Sequence, residues 1–213
     1  MKKIIIFLSI LLSTGFFVAC DEELEVWDSE TLEYSGRWHF KVQGENGDVV
    51  KEYGSHTLHT YNSAANVEDE LWLDDVNNVL NIRVKFDISG DPTNFKSVDV
   101  SESAAGENVK DYPAPAATPE EGATAVEDNF FNKATILEGK VLKGAGVSKT
   151  GDPVDSIYLK LNLFAGEVVY NSVFDDVTET YVWDEGTFSY YPESDSVVVL
   201  SGTMYTGFPE DEY

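Results

Sequence analysis

The sequence predicts an all-β protein with antiparallel strands, arranged as a barrel or as a sandwich of two sheets. Two observations carry this prediction. Apolar residues recur at every second position in several short segments, which is the period of a strand with one buried face. Turn-forming residues separate these segments, and no long stretch has a helical period.

The predicted strands begin near residue 34. In the first of them Trp38, Phe40 and Val42 alternate with polar residues, and a turn centred on Asn46-Gly47 follows. Residues 80–86 form the clearest half-buried strand. The remaining predicted strands are residues 56–61, 71–73, 134–142, 157–163, 168–173, 181–190 and 197–205.

Residues 99–129 interrupt this pattern. They are rich in Ser, Ala, Gly and Glu, contain Pro113, Pro115 and Pro119, and have no periodicity. We therefore expect a long surface loop. A loop of this length in a compact domain is either disordered or functional.

Composition narrows the classes of function. The chain has 213 residues, enough for one domain with its own core, and a formal net charge of −25. Such a charge repels phosphate groups, so nucleic acid is not an expected partner, and a basic membrane-binding face is excluded as well. The single cysteine, Cys20, rules out a disulfide within the molecule.

The amino terminus predicts export and lipid attachment. Lys2 and Lys3 precede an apolar stretch, residues 4–18, which is shorter than the ~20 residues of a membrane-spanning helix. This stretch ends in Phe17-Val18-Ala19-Cys20, which resembles a lipobox. We expect a signal peptide at residues 1–19, a lipidated acidic tether at residues 20–33 and a single β domain at residues 34–213.

The residues after Cys20 suggest where the lipid anchors the protein. The run Asp21-Glu22-Glu23 resembles the surface-export signal of Bacteroidota lipoproteins. It favours the outer membrane and the cell surface. An Asp in this position would instead favour retention in the inner membrane of an enterobacterium, so the leaflet and membrane stay open.

Several motifs resemble a known family. Gly36-Arg37-Trp38 is similar to the Gly-x-Trp that opens lipocalin-like barrels. The segments 70–75 (ELWLDD) and 206–211 (TGFPED) resemble Bacteroidota lipoproteins of a lipid-binding putative hydrolase family, and similarity extends over most of residues 34–213. Pro209 departs from the family pattern. The resemblance implies a lipocalin-like barrel that binds a lipid or another small apolar ligand. If that barrel is open, the candidates to line it are Trp38, Phe40, Trp72 and Tyr158; otherwise they fill the core.

The sequence contains no complete motif of the catalytic classes considered. No Gly-x-Ser-x-Gly elbow occurs, and Lys149-Thr150-Gly151 has no accompanying Ser-x-x-Lys, so we interpret it as a turn. His56 and His59 would point to opposite faces of a strand, and zinc needs at least three converging ligands. We therefore predict no catalytic residue, metal site or cofactor, and of the functions considered a hydrolase has the least support.

Two further hypotheses of function remain beside lipid binding. The protein could be a glycan-binding accessory with exposed aromatic rings, or a structural or adhesive surface lipoprotein without a small ligand. Asp155-Ser156-Ile157 and Asp195-Ser196-Val197 also resemble O-glycosylation sites of Bacteroidota, which makes Ser156 and Ser196 candidates for modification.

Overall fold

The computed structural model describes residues 28–77, 79–112 and 114–213, so the predicted signal peptide and Cys20 lie outside the described residues. In the described residues the chain forms twelve β-strands and short 3-10 helices, with no α-helix. The strands are β1 (Gly36–Gly44), β2 (Val49–Lys51), β3 (Thr57–Asn62), β4 (Glu70–Asp75), β5 (Arg83–Asp91), β6 (Asn94–Ser97), β7 (Gly106–Glu107), β8 (Thr124–Val147), β9 (Pro153–Asp175), β10 (Thr180–Trp183), β11 (Thr187–Tyr190) and β12 (Ser196–Met204). The 3-10 helices are η1 (Leu32–Tyr34), η2 (Glu102–Ala104), η3 (Pro192–Ser194) and η4 (Pro209–Asp211). Within this part of the chain no helix is long and apolar enough to cross a bilayer.

Eight of the strands close into a ring of antiparallel pairs. The order is β9-β12-β1-β3-β4-β5-β6-β8, and the pairing of β8 with β9 completes the circuit. β2 pairs with β1, β7 with β8, and β10 and β11 with β9. The predicted all-β antiparallel class is confirmed, and the ring is compatible with a barrel or a sandwich.

The β8–β9 hairpin is much longer than the ring is tall. Its two strands pair from Thr124 opposite Asn171 to Val147 opposite Pro153. Only residues 156–163 of β9 pair with β12 of the ring; residues 166–169 pair with β11 and residues 172–175 with β10. The outer half of the hairpin therefore extends past the ring and carries a small sheet of its own.

Alternation along the strands fills the ring with side chains. Trp38, Phe40 and Val42 of β1 point inward and are fully buried. The indole N–H of Trp38 donates a hydrogen bond to Thr60 Oγ1 at 2.9 Å, which satisfies its one polar group. Burial of each such large apolar side chain contributes about 1.5–3 kcal/mol. The other fully buried core residues of the ring include Leu58, Leu71, Leu73, Ile82, Val84, Ile136, Leu159, Leu161, Leu163 and Leu200.

A glycine allows the ring to close between β6 and β8. Phe95 of β6 pairs with Gly139 of β8, and its ring lies against the glycine. A Cβ at Gly139 would meet Phe95 Cε2 at 2.4 Å, which is far inside van der Waals contact. Phe95 is only 2% exposed and meets Tyr34 edge-on, with 5.1 Å between ring centroids.

A second apolar cluster lies on the outer half of the long hairpin. We call it the outer cluster; its buried members are Phe130, Val168 and Tyr170. The partly buried residues packed against them are Tyr112, Ala125, Trp183 and Phe188. This cluster is much smaller than the ring core and depends on residues from outside the hairpin to cover it.

Two predicted strands differ from the observed ones at turns. The strand predicted at 80–86 begins only at Arg83, because the carboxylate of Asp75 accepts hydrogen bonds from the N–H groups of Leu80 and Asn81 (2.5 and 3.2 Å). Such bonding holds a turn, and Asn81 has a φ of 54°. The strand predicted at 181–190 is divided into β10 and β11, where Gly186 has a φ of 77°.

The boundaries of the predicted tether and loop also differ from the observed elements. Thr31 is fully buried, and the backbone N–H of Glu30 donates to Asn66 Oδ1 at 3.1 Å, so the last residues before η1 pack on the sheet. At the other end of the predicted loop 99–129, β8 already begins at Thr124.

Candidate functional site

The four aromatic residues proposed to line an open interior are divided between the two faces of the sheet. Trp38 and Phe40 point inward, where they are part of the filled core. Trp72 and Tyr158 lie on the outer face, because the residues on either side of each take the inner positions of β4 and β9. The prediction that Trp72 and Tyr158 line the interior is therefore wrong.

The predicted modification sites have different surroundings. Ser156 lies in β9 between Leu142 and Thr203 of the neighbouring strands, and Ser196 begins β12 opposite Leu163. Both serines are partly buried. Their O-glycosylation stays a prediction, as does lipid attachment at Cys20, which lies outside the described residues.

The histidines do not converge on one point. His56 Nε2 lies 2.7 Å from the backbone oxygen of Phe40, and His39 is buried between the rings of Tyr205 and Tyr213. Within residues 28–77, 79–112 and 114–213 no three His, Cys, Asp or Glu side chains are grouped to hold a metal ion.

A cavity of about 650 Å³ lies outside the ring, between the segment that follows β7 and the outer half of β9. We call it the loop cavity. Its lining residues are Asn108, Val109, Lys110, Asp111, Tyr112, Ala114, Tyr170, Asp184 and Glu185. Such a volume fits a small ligand, and cavities that combine aromatic side chains with a few polar groups are typical ligand sites.

Asn108 fixes one wall of this cavity. Its Nδ2 donates to the backbone oxygens of Asn81 (2.9 Å) and Phe131 (2.8 Å), and its Oδ1 accepts from the N–H groups of Arg83 (2.9 Å) and Lys110 (3.1 Å). One side chain thereby joins the loop to β5 and β8. These four hydrogen bonds anchor the start of the loop, which lies outside the strands.

Two aromatic residues hold the loop over the outer cluster. The hydroxyl of Tyr112 donates to Asn132 Oδ1 at 3.0 Å, and its ring meets Phe130 edge-on at 4.4 Å. Further along the loop the indole N–H of Trp183 donates to the backbone oxygen of Ala117 at 2.7 Å. Residues 115–119 thus lie beside β10, and the loop cavity is the space between residues 108–112 and the outer half of β9.

Tyr170 provides the least satisfied polar group of the site. Its side chain is 1% exposed, and in the described part of the chain its hydroxyl has no hydrogen-bond partner. Gly186 packs against the hydroxyl end of the Tyr170 side chain, since a Cβ at Gly186 would meet Tyr170 Cε1 at 2.8 Å. Burial raises the pKa of the hydroxyl, and the charges of Glu127 and Asp184 raise it further, so the group is a protonated phenol at neutral pH. A buried hydroxyl without a partner costs about 1–3 kcal/mol, which a ligand that bonds to it would recover.

The charges around the cavity are mainly negative. Asp111, Asp184 and Glu185 line it. The carboxylate of Asp184 accepts hydrogen bonds from the N–H groups of Asn171 (3.0 Å) and Gly186 (3.1 Å), and these bonds lower its pKa.

A shallower groove continues from the loop cavity across β4 and β5. Val109, Lys110 and Asp111 border both, and the groove then runs along Asp74 and Arg83. Arg83 Nε lies 3.4 Å from Asp74 Oδ2, so the groove is lined by paired charges and is more polar than the cavity.

Sequence reasoning missed Asn108, Tyr112 and Tyr170. The proline-rich composition did indicate that the loop is either disordered or functional, but it could not show which strands the loop crosses. Tyr112 and Tyr170 are far apart in the chain and come together because the outer half of the long hairpin extends past the ring to where the loop lies.

The fold and site define an antiparallel β protein with a filled strand ring and a candidate binding cavity under a loop beside it. The chain belongs to the family described as lipid-binding putative hydrolase, whose model matches residues 23–209. The resemblance seen in the sequence is thereby confirmed at the level of the family. No curated protein matches the chain.

Proposed function

We propose that the protein is an extracytoplasmic lipoprotein, anchored to the outer membrane through lipid on Cys20, that binds a lipid or another small amphipathic molecule in the loop cavity. The family description supports lipid as the class of ligand. The observation that carries the choice of site is the contrast between a ring filled with fully buried side chains and a cavity of about 650 Å³ beside it.

The chemistry of the cavity suits a ligand with both apolar and polar parts. Tyr112 and Tyr170 of the outer cluster supply aromatic surface and Val109 supplies aliphatic surface, while the hydroxyl of Tyr170 and the neighbouring carboxylates supply polar groups. An apolar chain packed on Tyr112 and Val109 would gain about 25 cal/mol for each Å² removed from water.

Native mass spectrometry and solvent extraction of the purified protein test this binding. We expect a co-purified lipid, or uptake of one from a lipid extract, in the wild type. Ala114→Trp fills part of the cavity and should abolish uptake, whereas Ala64→Trp, the same change at an exposed turn between β3 and β4, should leave it intact. Equal uptake by both variants would refute the loop cavity as the site.

The anchor is tested separately in the full-length chain. Metabolic labelling with an alkyne fatty acid should mark the wild type and leave Cys20→Ala unmarked. An unlabelled wild type would exclude the lipoprotein part of the proposal and leave the binding part standing.

One observation favours glycan binding as a second candidate function. Tyr61 and Trp72 stack on the outer face with ring centroids 6.3 Å apart and an interplanar angle of 11°. Parallel rings of this kind can stack on sugar rings, but Arg83 lies over Trp72 at 5.6 Å and covers part of the indole. Affinity electrophoresis in polysaccharide gels would detect such binding, and Trp72→Ala should remove it.

A further inference from the structure

The loop cavity has an electrostatic character that constrains the head group of its ligand. Asp111, Asp184 and Glu185 place three carboxylates around it. The hydrogen bonds that Asp184 accepts from Asn171 and Gly186 stabilise its ionised form, so this charge persists at neutral pH.

The cation that borders the cavity is already engaged. Lys110 Nζ lies 3.5 Å from Asp74 Oδ1 and donates to the backbone oxygen of Asp75. The neighbouring guanidinium, Arg83, is paired with the same Asp74 at 3.4 Å. Asp74 is a single carboxylate shared by these two cations, so an anionic head group would meet three carboxylates against the one positive charge that Asp74 leaves unbalanced.

The buried phenol of Tyr170 is a second, independent sign of a polar ligand group. Its hydroxyl has no hydrogen-bond partner in the described residues. The phenol end of its side chain packs against Gly186, and Asp184 and Glu185 line the same cavity. The oxygen can accept a hydrogen bond from an ammonium N–H, and the tyrosine rings lining the cavity can attract a cation through their negative faces.

From these contacts we propose that the loop cavity selects amphiphiles with a positively charged ammonium head group over fatty-acid anions. This inference rests on the proposed function, since it assigns the ligand class of the same cavity. The carboxylates attract the head group, and Tyr112 together with Val109 binds the first part of the chain.

Calorimetric titration with amphiphiles of one chain length tests the proposal. The protein is the chain from residue 21 onward, which contains every strand that the structure describes and both apolar clusters. The probes are dodecyltrimethylammonium, dodecylamine, dodecyl maltoside and dodecanoate, each below its critical micelle concentration. We expect the two cations to bind about tenfold more tightly than dodecanoate, with the neutral maltoside between them.

Charge variants separate the cavity from the net charge of the protein. Asp111→Asn with Glu185→Gln should lower cation affinity about fivefold and leave maltoside affinity unchanged. The matched control, Glu52→Gln with Glu193→Gln, removes the same charge at two other exposed positions and should change neither affinity.

The outcomes distinguish this inference from the proposed function. If no amphiphile binds, both fail. If the maltoside and dodecanoate bind as tightly as the cations, the cavity binds amphiphiles and only the head-group selection is refuted. If the control pair lowers cation affinity as much as the cavity pair, the preference comes from overall charge and the inference is overturned.

Discussion

Replacement of Tyr170 by Phe should stabilise the free protein and weaken its complex. The tyrosine ring is part of the outer cluster, and Phe keeps that ring while it removes only the hydroxyl. Because the hydroxyl is buried and has no partner in the described residues, its removal should relieve a desolvation cost of about 1–3 kcal/mol. We expect a gain near the lower limit, about 1 kcal/mol, which corresponds to a rise in Tm of about 2–4 °C for a chain of this size.

Tyr190→Phe is the matched control for this change. Tyr190 also lies on the outer part of the sheet, but its hydroxyl donates to Asp195 Oδ2 at 2.9 Å. Burial and this carboxylate raise the pKa of Tyr190 to about 12. Loss of a hydrogen bond to a charged acceptor should cost about 1 kcal/mol or more, so the two Tyr→Phe variants are expected to shift stability in opposite directions.

Urea denaturation gives the free energies, and titration with dodecylamine, whose protonated head group carries N–H donors, gives the effect on binding. Tyr170→Phe should weaken binding about two- to tenfold, since the ligand loses one hydrogen bond. If Tyr170→Phe destabilises the protein as much as Tyr190→Phe does, its hydroxyl is satisfied within the folded chain, and the argument for a polar ligand group at this position fails.

Three further predictions concern the fold and its supports. Gly139→Ala should lower the free energy of unfolding by about 1–3 kcal/mol in urea denaturation, because its Cβ would clash with Phe95 where the ring closes; an unchanged midpoint would mean that Phe95 can move aside. Asn108→Ala should cost about 2–4 kcal/mol and speed amide exchange in residues 108–112, since four hydrogen bonds are lost; unaltered exchange would show that the loop is held by other contacts. Burial lowers the pKa of His39, so the unfolded chain binds a proton first as the pH falls below about 6.5 and stability declines there. His39→Gln should make the decline in Tm between about pH 7 and 5 shallower, and an identical slope would exclude His39 as its cause.

Local periodicity was enough to predict the class of fold. In β1, β4 and the ring part of β9, apolar and polar residues alternate along the strand. Because successive side chains of a strand point to opposite faces, this alternation determines which side chains face the core. The same rule shows why Trp72 and Tyr158 were misassigned. Their aromatic character suggested the interior, whereas their position between two inward aliphatic residues already placed them outside.

The site could not be predicted in the same way, because it depends on contacts between distant segments. Asn108 is one of many polar residues in a loop without periodicity, and nothing local shows that it bonds to β5 and β8. The turn at residues 79–81 was missed for a related reason. The N–H groups of Leu80 and Asn81 donate hydrogen bonds to the Asp75 carboxylate, and these compete with an apolar alternation that otherwise indicates a strand.

The ring core and the outer cluster differ in the free energy that is needed to admit a ligand. To admit a ligand, the ring would have to displace fully buried side chains such as Trp38 and Phe40, each of which contributes about 1.5–3 kcal/mol. The outer cluster instead depends on a loop held by a few hydrogen bonds, so it should open locally at much lower free energy than the ring.

A ligand that binds only the closed loop at a concentration 100 times its Kd would add about 2.7 kcal/mol to the stability of that region. Hydrogen exchange with saturating amphiphile should therefore slow in residues 108–112 and 166–175 and stay unchanged in β3 and β4. Equal slowing throughout the sheet would place the ligand in contact with the ring core and refute the loop cavity as its site.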